Sequence, residues 1–341
     1  MVKSNLRDTL KNRRVFNNTS RWLSVCIAIF IGAVFNVPAN AQDYPDKPIR
    51  LVIPWPAGGL VDIAGRTTAK MLQPSLKQAI VVENKLGAGG IVGADSVAKA
   101  PADGYTLLLT TSALSINAVL RTKMPFDMSA DLAPIALIAW APSVLVASPL
   151  LKVTSVQELI ALAKTKPGKL TYASAGVGSP AHLSAELFKT LAGIDLLHVP
   201  YKGAPQAMTD VIAGEVDLLF ANATVAIPQI KANKIRALAV TSAKPYAGLP
   251  DLPTMAQAGV LQFEADQWLG IFAPSGTPEA ILTMLHREIG KALVNGEVRT
   301  TLEQNGMTTA VLASRNDFKN FLVQDKEKWA GVVSKANIPR E

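Results

Sequence analysis

The chain has 341 residues, with 34 Lys and Arg against 26 Asp and Glu, 6% aromatic residues and one cysteine. Six of the bases and one acid fall within the first 41 residues, which leaves 28 bases against 25 acids, a net +3, in the rest. That balance, with no dense Lys/Arg cluster, gives no case for nucleic-acid binding; the lone Cys26 falls within those first 41 residues, so the rest has no cysteine, which excludes disulfides, thiol catalysis and cysteine metal sites there.

The chain opens like an export leader. Lys3, Arg7, Lys11, Arg13, Arg14 and Arg21 precede an apolar run from Trp22 to Phe35, and then come Pro38 and Ala39-Asn40-Ala41. This order is that of a bacterial secretory signal, with cleavage expected after Ala41 and a periplasmic product starting at Gln42. The apolar run, about 14 residues, is too short to span a bilayer core. Cys26 sits too early, with its apolar run after it, to mark a lipoprotein site. The pair Arg13-Arg14 faintly resembles a twin-arginine signal, but with no cofactor to insert before export the ordinary route is expected.

Beyond the leader, strands and helices alternate. Pro48–Pro54 reads as a buried strand, Pro56-Ala57-Gly58-Gly59 as a turn, and Val61–Leu72 as an amphipathic helix. Ala79–Glu83 is the next strand, Gly87-Ala88-Gly89-Gly90 a tight structural turn, Ile91–Lys99 a helix and Tyr105–Thr110 a third strand. Such alternation predicts a parallel sheet with helices on both faces. A second set follows. Ser143–Ala147 reads as a strand, Ser155–Lys164 as a helix capped by Ser155 with Glu158 three residues on, and Leu170–Ala173 as a strand. After a glycine loop come a helix over Pro180–Leu191, extended His198–Tyr201, a helix over Pro205–Ala213, and strands at Val216–Phe220 and Ile235–Val240. The tail reads as helices over Pro278–Leu293, Val298–Asn305 and Arg315–Ala336. Two such sets with a returning tail predict two α/β lobes joined by crossing strands. The ligand cleft is expected between them, outside the carboxyl ends of the strands.

The chemistry of enzymes is poorly represented. His182, His198 and His286 show no HExxH spacing, so a zinc site is not expected. Gly176-Val177-Gly178-Ser179-Pro180 misplaces the serine of a hydrolase elbow. Gly87–Gly93 approaches a dinucleotide fingerprint with its third glycine one residue late, and no nucleotide P-loop exists. No cofactor is therefore expected. Two glycine loops that precede helices remain: Pro54-Trp55-Pro56-Ala57-Gly58-Gly59 and Ala175-Gly176-Val177-Gly178-Ser179. Glycine lets backbone N–H groups crowd a ligand, and a helix start adds partial positive charge. Either loop alone reads as a βα turn; two of them facing each other would hold a carboxylate without an arginine.

An ordered set of motifs then resembles one family, the Bug-type extracytoplasmic receptors of tripartite tricarboxylate transporters. The set comprises Tyr44–Arg50, Pro56–Gly59 with Asp62, Glu83-Asn84-Lys85 before Gly87–Gly90, Tyr172–Ser179, His182-Leu183 and His198–Gly203. Gly214–Asp217, Leu249–Thr254 and Trp268-Leu269-Gly270 complete it. The resemblance implies an α/β, two-lobe type II periplasmic-binding-protein fold with two crossover strands and a ligand cleft between lobes. The lobes would be residues 42–142 plus 268–341, and 143–267. It implies capture of a small organic carboxylate, gripped partly through water, and delivery to membrane permease subunits by a monomer that performs no catalysis. On the first lobe the candidate ligand residues are Trp55, Pro56, Ala57, Gly58, Gly59, Asp62, Thr111 and Ser112. Asp62 would fix the first loop, or simply stabilise its helix start. On the second they are Ala175, Gly176, Gly178, Ser179, His182, Tyr201, Lys202, Gly203 and Asp217. Ser179, His182 and Tyr201 would line that lobe's face, although Tyr201 also suits a core position with its hydroxyl satisfied.

One departure narrows the ligand. Many relatives carry small hydroxyl residues after the Gly-Gly pair, where this chain has Leu60 and Val61. Fewer donors disfavour a polyhydroxy or tricarboxylic ligand and favour a flatter, more apolar acid, aromatic acids included. The alternative is that Leu60 and Val61 turn into their own lobe's core. Two other functions fit the same outline: a secreted α/β enzyme acting on a small acid or ester, and a sensor presenting its ligand to a membrane kinase.

Overall fold

The computed structural model describes residues 44–310 and 314–340. The leader expected over residues 1–41 lies outside them. Among the described residues no helix is long and apolar enough to cross a membrane.

The first strands and helices follow the predicted alternation: β1 (Ile49–Ile53), α1 (Leu60–Leu76), β2 (Ile80–Asn84), α2 (Ile91–Ala98) and β3 (Thr106–Thr111). β1 lies between β2 and β3 and pairs in parallel with both. Every residue of β3 is buried, as a strand covered on both faces requires. Next come α3 (Ala113–Leu120), a short α4 (Met128–Asp131), β4 (Leu132–Ala141) and β5 (Ser143–Ala147). Then follow α5 (Val156–Thr165), β6 (Thr171–Ser174), α6 (Pro180–Ala192), β7 (Leu197–Pro200) and α7 (Ala204–Ala213). β8 (Leu218–Asn222), α8 (Ala223–Lys231), β9 (Arg236–Val240) and β10 (Gln267–Pro274) precede the tail, which is α9 (Glu279–Leu293), α10 (Gly296–Gln304), β11 (Thr308–Thr309) and α11 (Arg315–Lys335).

The strands form two sheets, ordered β11-β4-β10-β3-β1-β2 and β7-β6-β8-β5-β9. Neither is purely parallel, in contrast to the prediction. β10 runs antiparallel to both β3 and β4, and β5 runs antiparallel to β8 and β9. The reason is the path of the chain. It leaves the first sheet through β4, turns at Pro142 into β5, and returns after β9 into β10, so each crossing strand enters its sheet from the opposite end. β4 and β10 have no counterpart among the predicted strands. Gly270 breaks the apolar run of β10, while the unbroken apolar run Ile135–Ala141 of β4 has no alternation to distinguish it from a buried helix.

Side chains on the second sheet alternate between two cores. Leu145, Tyr172 and Phe220 pack with Leu183 and Phe188 of α6; Val144, Val146, Ala173 and Leu219 pack with Ala207, Met208 and Val211 of α7. The first of these cores also takes Ile116, Val119 and Leu120 from α3, and Trp329, Val332 and Val333 from α11. The amino half of α11 serves the other sheet, where Phe318 and Leu322 join Val52, Leu108 and Trp268. α11 is therefore common to both sheets rather than a part of one.

Candidate functional site

Each glycine loop follows a strand and opens a helix, and each is pinned in the same way. In the first, Gly58 adopts φ +76° and donates its N–H to Asp62 Oδ2 at 2.9 Å. In the second, Gly178 adopts φ +75° and its N–H meets His182 Nδ1 at 3.3 Å. Both acceptors stand four residues on, in the first turn of α1 and α6. Both glycines occupy the left-handed region that side chains with a Cβ resist, so the bond from the helix selects a turn that glycine alone adopts freely.

Asp62 is buried and fully engaged. Its Oδ2 also accepts Arg66 Nε at 2.9 Å, and its Oδ1 accepts Asn84 Nδ2 at 2.9 Å. The same Asn84 nitrogen donates to Trp55 O at 2.9 Å, which ties the end of β2 to the loop. Burial works to raise the Asp62 pKa, but the hydrogen bonds from Arg66, Gly58 and Asn84 outweigh it and hold the carboxyl below its ordinary value. Asp62 is thus a positioning residue for the first loop.

The second loop rests on stacked rings. His182 and His198 lie 4.3 Å apart at 22°, and His198 lies 4.8 Å from Tyr172 at 12°. His198 Nε2 is 2.7 Å from Ser174 Oγ, which accepts the Gly176 N–H at 3.1 Å. Tyr172 donates to Glu186 Oε1 at 2.5 Å, and Lys189 closes the group on the same oxygen at 2.9 Å. Burial, then the neighbouring His198 and Lys189, hold His182 down at about 3. Burial also lowers His198, against a smaller opposing pull from Glu186.

The two loops come together around α3. Gly90 packs so close to Trp55 that a Cβ on it would lie 3.4 Å from the Trp55 ring. Beside it, Gly89 O accepts Asn117 Nδ2 at 3.1 Å. Asn117 in turn faces the second loop: a Cβ on Gly178 would lie 3.5 Å from Asn117 Oδ1 and 3.1 Å from Leu120. Asn117, on α3, thus stands between the Gly87–Gly90 turn, which packs on the first loop, and the second loop. The Gly87–Gly90 segment is a turn packed under the first loop, as its sequence predicts.

The other candidates divide. Pro56 and Ala57 form the exposed tip of the first loop, and Gly59 is the N-cap of α1. Ser179 caps α6 by accepting the His182 N–H at 3.3 Å. Thr111 Oγ1 takes the Ala113 N–H at 3.3 Å. Ser112 Oγ and Trp55 Nε1 are buried without a hydrogen-bond partner among the described residues. Ala175 flanks Gly176, whose own Cβ position would approach Tyr201 O at 3.4 Å. Leu60 and Val61 are buried.

Three second-lobe candidates are engaged within their own lobe. Tyr201 gives its hydroxyl to Asp210 Oδ2 at 2.7 Å, so its polar end serves α7; burial, then this bond, pushes it up to about 12. Gly203 has φ −178°, extended backbone open to any residue, and caps α7. Asp217 accepts Thr171 N at 2.8 Å and Thr171 Oγ1 at 3.0 Å, clamping the amino ends of β6 and β8. The second glycine loop leaves the other end of β6, about 10 Å away for a strand of that length. Asp217 is thus a strand clamp. Lys202 is exposed, and no ion pair to it exists among the described residues.

Asn84, Asn117, Ser174 and His198 do not stand among the sequence candidates. Asn84 and Ser174 end β2 and β6, so a polar residue closing an apolar strand was the readable signal. Asn117 is the single amide within the apolar helix Ala113–Leu120.

Residues 64–338 match the family described as the tripartite tricarboxylate transporter family receptor. Protein BugT of Bordetella pertussis is 38% identical over 319 residues, covering 93% of this chain and 97% of BugT. The solved structure of R. palustris Rpa4515 with adipate matches with a TM-score of 0.81 at 35% identity, over 87% of this chain and 99% of that one. MatC from Rhodopseudomonas palustris with bound malate matches with a TM-score of 0.77 at 29% identity, over 85% of this chain and 100% of that one. Two sheets joined by crossing strands, paired glycine loops and this run of similarity agree: the chain belongs to the tripartite tricarboxylate transporter family of receptors, built on the two-lobe type II periplasmic-binding fold.

Proposed function

We propose that this protein captures a small organic carboxylate between its lobes and hands it, unchanged, to the membrane permease subunits of a tripartite transporter. The lobes are residues 42–142 with 268–341, and 143–267, and α11 is shared by both. The protein works in the periplasm, as a monomer, once residues 1–41 have been removed. The observation that carries this reading is the matched pair of pinned glycine loops, linked through the Gly89–Gly90 turn and Asn117.

The pinning also indicates how the acid is held. The N–H groups of Gly58 and Gly178 already have acceptors, so they do not serve the ligand directly. α1 lacks a side-chain cap, which leaves the N–H groups of Leu60 and Val61 free to take a carboxylate oxygen at a positive helix end. Trp55, Pro56, Ala57 and Gly59 shape that side. Ala175, Gly176, Ser179 and His182 shape the other, with Thr111 and Ser112 at the end of β3. Water completes the contacts that direct donors leave open.

A catalytic reading needs a reachable nucleophile. The nearest pair, Ser174 Oγ and His198 Nε2, lies at 2.7 Å, but Ser174 is fully buried and bonded to both the N–H and the C=O of Gly176. It is part of the loop's frame.

The relatives solved with adipate and malate both hold dicarboxylic acids, which supports the same class here. Thermal unfolding against mono-, di- and tricarboxylic and aromatic acids tests the reading. An acid at 100 times its dissociation constant adds roughly 2.7 kcal/mol of stability. We expect a linear dicarboxylate to give the largest shift. Shifts with neutral esters but with no acid would overturn the reading.

A further inference from the structure

We propose that His182 and His198 act as a stacked pair of positioning residues that sets the shape of the second glycine loop, each through a different ring nitrogen. The proposal rests on the reading of that loop as part of the carboxylate site.

The geometry assigns the nitrogens. His182 Nδ1 faces the Gly178 N–H at 3.3 Å, and an N–H needs an acceptor, so Nδ1 carries a lone pair and the ring proton sits on Nε2. His198 meets Ser174 Oγ through Nε2 at 2.7 Å. That hydroxyl also lies 3.1 Å from Gly176 N, as acceptor, and 3.1 Å from Gly176 O, as donor. Its one proton cannot serve both His198 and Gly176 O. All three contacts are satisfied together only when His198 donates from Nε2–H. His182 therefore holds Gly178 directly by accepting, and His198 holds Gly176 through Ser174 by donating.

Stacking fixes both rings edge-on to the loop. The rings lie 4.3 Å apart, and Tyr172, anchored on Glu186, lies nearly parallel to both, 4.8 Å from His198 and 6.4 Å from His182. Gly176 and Gly178 are the two residues of this loop at positive φ, +113° and +75°. Each thus has its own imidazole, one direct and one relayed. Asp62 performs the direct half of this role in the first loop with a carboxylate; the relayed half has no counterpart there.

The nitrogen assignment makes a crossed amide test possible. The Asn side-chain carbonyl reaches the place of imidazole Nδ1, and the Gln amide nitrogen reaches the place of Nε2. At position 182, His182→Asn should keep the Gly178 bond while His182→Gln loses it. At position 198 the order reverses, with His198→Gln retaining the Ser174 contact and His198→Asn losing it. Loss of ring stacking is common to both amides at each site and cancels in the comparison. The readout is the amide resonances of Gly176 and Gly178 in protein labelled with 15N-glycine, which needs no ligand, followed by titration with adipate and malate. We expect the mismatched amide to displace the corresponding glycine resonance and to raise the dissociation constant roughly tenfold over the matched one, the effect of one lost buried hydrogen bond. In the unsubstituted protein, ring 15N shifts should show both histidines neutral and protonated on Nε2; this arm holds even if a variant does not fold. Equal effects of Asn and Gln at both positions, or a His182 ring protonated on Nδ1, would overturn the proposal. A crossed pattern in the glycine resonances with no acid bound would instead overturn the carboxylate reading and leave the loop assignment standing.

Discussion

At the scale of single residues, the site depends on hydrogen bonds that never touch a ligand. Asp62 illustrates this. Replacing it with Ala orphans the Gly58 N–H and takes one partner each from Asn84 and Arg66, which keep Trp55 O and each other. Because Arg66 is half exposed, water recovers its part, and we expect a loss of about 2 kcal/mol in chemical unfolding. Gly58 has open space where a Cβ would stand but φ +76°, so Gly58→Val strains the backbone by about 1–3 kcal/mol without a clash. We expect that variant to fold and to lose binding, whereas Lys202→Ala, an exposed charge, shifts affinity by only about 0–1 kcal/mol; calorimetry ranks them, and the reverse order would mean the acid is gripped by charge. His182 adds a pH signature. Its folded pKa, about 3, lies below the ordinary imidazole value of 6.5. The unfolded chain therefore takes up a proton that the folded chain refuses, and stability falls as pH drops from about 6.5 toward 3. In His182→Asn that part of the slope should vanish in urea titrations run across the interval.

At the scale of elements, α11 carries more than its place in the chain suggests. Trp329 is buried in the core shared with α3 and α6, while Phe318 lies against Trp268 and Phe272. Trp268 Nε1 donates to Asp325 Oδ2 at 2.7 Å in a buried setting. Trp329→Ala should cost about 3–5 kcal/mol in equilibrium unfolding, and a loss under 1 kcal/mol would show that α11 is not part of that core. The helices of this tail were legible because their apolar residues recur at helical spacing between Pro278 and Ala336. β1, β2, β3 and β6 were legible as short apolar runs with Pro or Gly within a few residues of an end. The strands β4 and β10 were not, since a glycine interrupts β10, the apolar run of β4 carries no strand period, and the two pair with each other across a long gap in sequence. The site divided along the same line. Glycine loops before helices can be read locally, so both were. Contacts that join distant segments, such as Asn117 to Gly89 and Gly178 or His198 to Ser174, depend on the fold and leave only a faint polar mark in the chain. Asp217 shows the same dependence: its motif carries no local mark of the bond to Thr171 that ties β6 to β8.

At the scale of the whole molecule, the crossing points decide how the halves can move. Ser143 N–H donates to Thr241 Oγ1 at 2.8 Å, and that hydroxyl donates to Asp266 Oδ1 at 2.9 Å, so one threonine ties both crossings. Burial raises Asp266 to about 6, with the Thr241 bond and Lys328 pulling the other way. A carboxyl raised in the folded state stays protonated while the unfolded chain ionises, so stability falls as pH rises from about 4 to 6, opposite in sign to His182. Asp266→Asn should abolish that decline and raise stability at pH 7 by roughly 1–2 kcal/mol, measured by thermal unfolding. The placing of β10 has a further consequence, for the order of folding. β10 separates β3 from β4 in the first sheet, yet it is synthesised only after every strand of the second sheet. The second sheet can close as soon as Val240 has emerged. The first must wait with two apolar strand edges bare until Pro274 arrives, a long-range pairing of the kind that folds slowly and sticks to its neighbours. The sheet that begins first is therefore closed last, and a nascent chain stopped between the two closings is the species most in need of a chaperone.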